Sequence, residues 1–381
     1  MTIEGSPSAL SRRLPTAVQT TIAGIRERAA AAGPVVDLSI GAPIDPTPEV
    51  VRRALGAAAD SPGYPLTVGR ADLRHEVVAW LGRAHGVTGL GESQVLPVIG
   101  TKELIGSLAL HLSLGSAQTI AYPRLAYPTY AVGAALVGAR GVVADDVADL
   151  EALAAQGSTP SLVWINSPAN PTGRVLAPEA LRAILAWCRE HGALLVSDEC
   201  YLDLGWEEIP TSVLHPDICG ASHDGLLALH SLSKRSNLAG YRIGFVTGDQ
   251  AIVAELAAVR RNLGLQLPGP QQNAAIAALA DDEHVMQQRE RYSKRRDLLR
   301  PALVAAGFTV DHSHAGLYLW ATRGEPCEQS ISMLADLGIV AVPGHQYGPY
   351  GAEHVRFALT APDADVASAA QRLSTITAKA P

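Results

Sequence analysis

The sequence is poor in cysteine, and its few cysteines are scattered. Four occur among 381 residues, at Cys188, Cys200, Cys219 and Cys327, and no two of them form a Cys-x-x-Cys pair. This spacing matches neither a disulfide framework nor a zinc-ligand motif, so the pattern predicts no metal. The lack of both is typical of a protein that works in the reducing cytosol.

Charge and long apolar runs are also scarce. Only 18% of the residues are charged, the net charge is -7, and basic residues do not gather into a stripe. This argues against nucleic acid as a partner. No apolar run reaches the roughly 18 residues that span a bilayer, and the N-terminus lacks the apolar core of a signal peptide. We therefore expect a cytoplasmic protein whose partners are neither nucleic acids nor membranes.

Apolar residues are abundant, at 48% of a chain long enough for two domains at roughly 150 residues each. In the middle of the chain, short β-branched runs alternate with helical patterns. The predicted strands are 95–99, 119–122, 141–144, 162–166, 193–197, 226–230 and 242–247, and the helices include 101–114, 129–137, 178–191 and 250–262. This alternation predicts a mostly parallel sheet with helices on both faces.

After residue 270 the pattern changes. A long amphipathic helix is predicted at 281–306, followed by strands at 308–311, 317–321, 339–342 and 354–359 with a helix among them. The sequence therefore predicts an α/β protein with a large domain of residues 42–270. A smaller α+β domain would combine residues 1–41 with residues 271–381.

One candidate site for chemistry is a turn between a predicted strand and a helix. Gly100 permits the turn, and Thr101 would begin the helix, whose first amides can bind an anion. An ordinary capped helix explains the same pattern. The chain has no glycine fingerprint for a dinucleotide and no Walker lysine motif, so any bound phosphate would belong to another ligand.

Two further candidates follow apolar strands. Asn170 lies in NSPANPTG after the strand LVWIN, near the edge where open α/β sheets bind ligands. Asp198 and Tyr201 follow the strand ALLVS, and a carboxylate there needs a positive or hydrogen-bonding partner. A protonated pyridine nitrogen would be such a partner. A proline-bracketed turn and a capping aspartate are the simpler alternatives.

The segment HSLSKRSNLAGYRIGF is the most informative one. Lys234 comes directly after an apolar strand and two hydroxyls, Ser231 and Ser233, and Arg242 follows eight residues later. Hydroxyls and a guanidinium around one lysine suit a phosphate held beside an amine. An aldehyde cofactor with a phosphate arm would need this arrangement to form a Schiff base. A lysine after a strand can also be a plain surface residue.

Taken together, these segments resemble the class I/II aminotransferases, which are fold-type-I enzymes that use pyridoxal 5'-phosphate (PLP). The shared order is IGTKE, LAYPTY, NPANPTG, SDECY, SLSKRSNLAGYRIGF and VRFALT, over nearly the whole chain. The resemblance implies a large domain with a helix-covered sheet, a smaller domain, and a homodimer with shared active sites. It also implies amino acids and keto acids as substrates.

The resemblance also implies a role for each matching residue. Lys234 forms the Schiff base and moves a proton, Asp198 keeps the pyridine nitrogen protonated, and Arg356 binds the substrate α-carboxylate. The remaining implied contacts lie around the cofactor or over the substrate: Gly100, Thr101, Lys102, Ser231, Ser233 and Arg242 at the phosphate, Tyr127 on the ring, Asn170 and Tyr201 at the phenolic oxygen, Tyr64 at the neighbouring subunit's phosphate, and Gly41 in a mobile segment over substrate.

Within the family, the chain resembles the actinobacterial N-succinyldiaminopimelate aminotransferases, through phrases such as SVLHPDICG and GLYLWATRGEPC. It departs from them at RRLPTAVQTTIAGI near the N-terminus, at residues 264–267 and at residues 344–348. These segments surround the substrate pocket in that group. The resemblance implies transfer of an amino group, commonly from glutamate, to a keto acid such as N-succinyl-2-amino-6-oxopimelate.

Two other functions remain open at this stage. A PLP-dependent lyase, or a decarboxylating or oxidatively deaminating enzyme, would use the same cofactor residues, since pocket geometry decides which bond breaks. A PLP-sensing regulator would carry a DNA-binding module before the domain. Only about forty residues precede Gly41, which is too few for that module.

Overall fold

The computed structural model describes Leu14 and residues 18–376. The strands are β1 (Val36–Asp37), β2 (Val95–Val98), β3 (Thr119–Tyr122), β4 (Arg140–Val143), β5 (Leu162–Asn166), β6 (Leu194–Asp198), β7 (Leu226–Ser231), β8 (Gly244–Gly248), β9 (Thr309–Asp311), β10 (Tyr318–Thr322), β11 (Ile339–Val340), β12 (Val342–Pro343) and β13 (His354–Ala358). The predictions for residues 1–13, 15–17 and 377–381 lie outside the described residues.

Helices connect most of these strands. They are α1 (Val18–Ala31), α2 (Glu49–Ala57), α3 (Ala71–His85), α4 (Thr101–His111), α5 (Thr129–Val137), α6 (Val147–Ala155), α7 (Pro178–Glu190), α8 (Pro216–Cys219), α9 (Leu232–Arg235), α10 (Gln250–Asn262), α11 (Gly269–Ala280), α12 (Glu283–Ala305), α13 (Cys327–Asp336) and α14 (Asp363–Leu373). No helix in the described part of the chain combines the length and apolar character needed to cross a membrane.

A seven-stranded sheet forms the centre of the molecule, in the order β2-β8-β7-β6-β5-β3-β4. All its neighbouring strands are parallel except for β8, which runs antiparallel to both β2 and β7. Strand β5 shows how both faces are buried. Leu162 and Trp164 belong to one apolar cluster, whereas Val163 and Ile165 belong to another. Helices cover both faces, as near-continuous apolar strands predict, so the predicted α/β fold is confirmed.

Two strand predictions differ from the structure for local reasons. The predicted strand at 242–247 begins only at Gly244, because Arg242 has a left-handed backbone with φ of 58°. The predicted strand at 339–342 is divided into two. Its first half, β11, pairs with β1, and its second half, β12, pairs with β13 in another sheet.

The second sheet has four strands in the order β12-β13-β10-β9. Its apolar cluster joins residues from both ends of the described chain, since Val36 and Leu38 pack with side chains of α12, α13 and α14. This arrangement supports the proposed division at residues 41/42 and 270/271. We keep those boundaries as a proposal.

Candidate active site

The ends of several strands meet at one edge of the central sheet. Strands β5, β6 and β7 are parallel, so their last residues lie near one another at the same edge of the sheet. These residues are Asn166, Asp198 and Ser231. Strand β8 connects this edge to β2, because Gly244 pairs with both Ser231 and Val98. The helices α4 and α9 begin directly beyond these ends. The register therefore gathers segments that lie more than a hundred residues apart in the chain.

The first turn of α4 is the part of this edge that the sequence predicts to bind an anion. Gly100 has φ of 86°, and a Cβ added to it would lie 2.7 Å from Arg242 Cζ. The guanidinium of Arg242 therefore sits directly against the backbone turn that begins the helix. The amide of Thr101 lies close to Gly244, where an added Cβ would be 3.1 Å from it. Only glycine fits at position 100, because a side chain would displace the arginine.

The hydroxyls predicted to help bind phosphate are buried beside this turn. Ser231 is the N-terminal cap of α9, and its Oγ accepts a hydrogen bond from the Ser233 amide at 3.2 Å. Both serines are less than 10% exposed. The backbone turn at Gly100 and the two buried serines therefore lie together, whereas the predicted phosphate residues Lys102 and Arg242 are exposed to solvent.

Lys234 lies in α9 and is half-buried. Its Nζ donates a hydrogen bond to the carbonyl oxygen of Gly41. A Cβ added to Gly41 would lie 3.0 Å from ring atoms of Tyr318. The segment before the large domain thus passes directly over the lysine amine. Glycine is needed at position 41 because the tyrosine ring leaves no room for a side chain.

Asp198 is a buried carboxylate at the end of β6. Tyr130 donates its hydroxyl hydrogen to Oδ2 at 2.8 Å, and the Cys200 amide donates to Oδ1 at 3.1 Å. Burial raises the pKa of Asp198, while these hydrogen bonds and the charge of Lys234 act in the opposite direction. A buried carboxylate of this kind is stabilised by a cationic hydrogen-bond donor.

Arg356 on β13 is buried. It donates to Asn170 Oδ1 at 3.1 Å and to the Ser39 carbonyl at 2.7 Å. Its Cζ lies 4.1 Å from the ring centroid of Tyr318 and 5.1 Å from that of Tyr347. Its Nε has no hydrogen-bond partner among the described residues. The guanidinium therefore keeps donor capacity for an anionic ligand.

The remaining predicted aromatic residues lie between these groups, with one exception. The hydroxyl of Tyr201 is 3.0 Å from that of Tyr318, and burial raises the pKa of Tyr201 well above its usual range. Tyr127 meets the ring of Tyr130 edge-on at 6.0 Å. Tyr64 is 98% exposed, so it does not join the others within one chain. Its predicted contact with a neighbouring subunit stays a prediction.

Three side chains of the site were not predicted from the sequence. Tyr130 contacts Asp198, Tyr318 joins Tyr201 to Arg356, and Cys200 lies with its Sγ 3.2 Å from the Thr101 hydroxyl. Each is a buried or half-buried residue inside an apolar pattern, where it looks like ordinary core. The only available signal was the position of Cys200 between Asp198 and Tyr201.

Comparison with known proteins agrees with this geometry. The sequence profile described as "Aminotransferase class I and II" matches residues 33–373. The chain belongs to the class I and II aminotransferases. It is therefore an aminotransferase, as its motifs predicted.

Three relatives illustrate the range of the family. A probable aminotransferase of Mycobacterium tuberculosis is 57% identical over 89% of this chain and 80% of its own length. The 4-dedimethylamino-4-oxo-anhydrotetracycline transaminase of Streptomyces rimosus is 52% identical over 95% of this chain and all of its own length. A solved structure, the probable N-succinyldiaminopimelate aminotransferase of Thermus thermophilus, has a TM-score of 0.84 at 27% identity, covering 94% of this chain and all of that one.

Class I and II aminotransferases use PLP, and the residues of this chain fit that cofactor. Gly100, Thr101 and Arg242 would hold its phosphate, since the backbone at Gly100 lies so close to the guanidinium that an added Cβ would collide with the arginine. Lys234 supplies an amine beside it, and Asp198 supplies a buried carboxylate that favours a cationic ring nitrogen. These groups are the ones that the fold-type-I aminotransferases need.

Proposed function

We propose that this aminotransferase takes its amino group from an α-amino acid and not from a simple amine, with glutamate as the leading donor. The observation that carries this proposal is Arg356. Its buried guanidinium is oriented by Asn170 and the Ser39 carbonyl, and its Nε has no protein partner among the described residues. A planar guanidinium held in this way can bind a carboxylate through two parallel hydrogen bonds, which lysine cannot reproduce.

The residues of the chain divide the chemical work among them. When bound, PLP supplies an aldehyde that takes up the amino group and a ring that withdraws electrons. Lys234 Nζ would remove a proton from the substrate and return it, a role supported by its half-buried position and its hydrogen bond to the Gly41 carbonyl. Asp198 would hold the ring nitrogen in its cationic form. Tyr201 would donate or accept a hydrogen bond at the ring oxygen.

The amino acceptor is the less constrained substrate. We propose a keto acid such as N-succinyl-2-amino-6-oxopimelate, the substrate type implied by the sequence resemblance and by the name of the Thermus thermophilus relative. A polycyclic ketone is the second candidate. The Streptomyces rimosus relative, named for such a substrate, is similar over its whole length. Ile40, next to Gly41, also exposes 46% of its surface near the lysine amine, where it could contact an apolar ring.

We further propose a cytoplasmic homodimer. Tyr64 is 98% exposed and Leu66 is 66% exposed, and both stand in the segment predicted to reach a neighbouring active site. Large apolar groups left in solvent commonly mark an interface. The four cysteines are free, which fits a reducing compartment. Sedimentation of the purified protein tests the dimer, and a monomer at micromolar concentration would contradict it.

A pair of half-reactions tests the substrates separately. Single amino donors are added to the PLP form, and the loss of its absorbance is followed over time. Glutamate should react at least as fast as the other common amino acids. The aminated enzyme is then offered the N-succinyl keto acid, 2-oxoglutarate or a tetracycline-type ketone, and recovery of the PLP absorbance is measured.

A ketone that restores the spectrum faster than the N-succinyl keto acid would replace the leading proposal by the second candidate. Donors without an α-carboxylate, such as 4-aminobutanoate, which keeps only the distal carboxylate of glutamate, provide the control for Arg356. Equal rates with and without the α-carboxylate would contradict the role proposed for this arginine.

A further inference from the structure

Three potential metal ligands of different chemical type meet outside the active site. Cys327 and Glu328 begin α13, and His345 lies in the short helical turn at Gly344–Tyr347. The Cys327 Sγ is 3.4 Å from His345 Nδ1, and this nitrogen is 2.9 Å from Glu328 Oε1. In the described part of the chain, their ligand atoms all lie within 4.8 Å of one another.

We propose that Cys327, Glu328 and His345 bind a Zn²⁺ ion. Thiolate, imidazole and carboxylate are the ligands that zinc takes in proteins, with Zn–S bonds of about 2.3 Å and Zn–N bonds of about 2.0–2.1 Å. A tetrahedral angle between two such bonds separates sulfur and nitrogen by about 3.6 Å. The observed separation of 3.4 Å needs almost no adjustment. A soft sulfur ligand excludes magnesium and calcium as the preferred ions.

The distance between the His345 imidazole and the Glu328 carboxylate can also adjust, because the glutamate side chain is exposed and has room to move. Glu328 is 64% exposed and His345 is 37% exposed, whereas Cys327 is fully buried. The ion would therefore arrive from the solvent side and displace the hydrogen bond between the imidazole and the carboxylate. The Cys327 thiol would release its proton to solvent as the metal binds. Water would occupy the fourth position, as in three-ligand zinc sites.

Gln346 is placed to orient the imidazole. Its side-chain amide lies 3.1 Å from His345 Nε2 and 3.2 Å from the Thr21 hydroxyl. The amide nitrogen donates to the Thr21 hydroxyl, and it contacts the imidazole nitrogen other than the one that faces Cys327 and Glu328. Metal-binding histidines are usually oriented by a hydrogen bond at this second nitrogen.

The site connects two parts of the fold. A bound ion would tie the start of α13 to the turn that carries Tyr347, whose ring lies 5.1 Å from Arg356 Cζ. The three ligands are separated by up to 18 residues, so the spacing of the cysteines alone could not reveal them. This proposal does not depend on the identity of the amino acceptor.

Calorimetric titration of the PLP-bound enzyme with ZnCl₂, in a buffer free of phosphate and chelators, tests the proposal. We expect about one ion per chain. Removing a residue that only orients a metal ligand usually weakens metal binding by at least about tenfold. His345→Ala and Cys327→Ala remove ligands themselves, so each should weaken zinc binding by more than that. Gln346→Ala should weaken it by about tenfold. With Co²⁺ in place of Zn²⁺, a sulfur-to-metal charge-transfer band should appear and should vanish in Cys327→Ala.

Matched variants separate the site from other zinc ligands. His75 also lies beside a glutamate, with its Nδ1 3.4 Å from Glu92 Oε1, but it has no cysteine beside it. Cys188 is a fully buried cysteine that belongs to another apolar cluster. His75→Ala and Cys188→Ala should bind zinc as the parent does. No zinc binding, or equal binding by the parent and His345→Ala, would overturn the proposal and leave an ordinary hydrogen-bonded cluster. His345 is exposed enough for its variant to fold even if Cys327→Ala does not.

Discussion

Gly100→Ala probes the phosphate-binding turn most directly. Position 100 has φ of 86° and ψ of 142°, a backbone conformation that alanine adopts at a cost of about 1–3 kcal/mol. The added Cβ would also lie 2.7 Å from Arg242 Cζ, where an ordinary contact is 3.4–4 Å. The guanidinium must therefore move by roughly 1 Å, since the backbone of the turn is held by α4.

The two effects have different consequences. Backbone strain weakens folding with or without the cofactor, whereas displacement of Arg242 weakens only the binding of an anion. A hydrogen bond to a charged group contributes about 1.5–3 kcal/mol. Loss of one such bond therefore predicts a PLP dissociation constant about 10- to 100-fold higher. We would remove the cofactor from both proteins and titrate PLP back, following the absorbance of the bound form.

Two glycines provide matched controls. Gly220 has φ of 68° but no neighbour within 4 Å of an added Cβ, so Gly220→Ala should lower the thermal midpoint without changing PLP affinity. Gly240, two residues before Arg242, has no such neighbour and no left-handed φ, so Gly240→Ala should change little. If Gly100→Ala bound PLP within twofold of the parent enzyme, the proposed phosphate site would be wrong.

Three further predictions concern the lysine, the arginine and a buried acid. Lys234→Ala should lose the absorbance of lysine-bound PLP and all measurable turnover, because the variant lacks the amine that lies against Gly41 in this site. Arg356→Lys should lower kcat/KM for glutamate by about 10- to 100-fold while PLP stays bound, because an ammonium group cannot bind a carboxylate through two parallel hydrogen bonds. Burial raises the pKa of Glu199 from 4.5 to about 7, so the folded protein keeps a proton there that the unfolded chain loses. Stability of the parent should therefore fall as pH rises from about 4.5 to 7. Glu199→Gln should remove that fall, which amounts to roughly 3 kcal/mol at most, as measured by urea unfolding across this range.

Each of these predictions has a result that would contradict it. Turnover by Lys234→Ala would assign the proton transfer to another residue. Loss of PLP from Arg356→Lys would mean that the arginine belongs to the cofactor site. Parallel stability curves for the parent and Glu199→Gln would show that Glu199 is ionised throughout. The glutamine can still accept from the Val213 amide and interact with the Ser212 hydroxyl, which bond to Glu199 at 2.8 Å and 2.7 Å.

Much of the site could be predicted because its residues stand at ends of strands. Apolar runs locate the strands, and the polar residue that follows each one must lie at the edge of a parallel sheet. Asp198, Ser231 and Gly100 were found in this way. Their mutual distances followed only from the register of β2, β8 and β7, in which β2 pairs with residues of β8 that lie more than a hundred positions away in the chain.

The sequence by itself determined the α/β class, the order in which the polar motifs follow the strands along the chain, and the family. These depend on local patterns of apolar residues, glycines and charged groups. Tertiary structure alone decided which buried residues serve the site. Tyr130 and Tyr318 look like core residues in the sequence, and only packing brings their hydroxyls to Asp198 and Tyr201. It also brought Cys327 to His345, because hydrogen-bonding and metal-binding contacts depend on distance in space, which sequence spacing does not record.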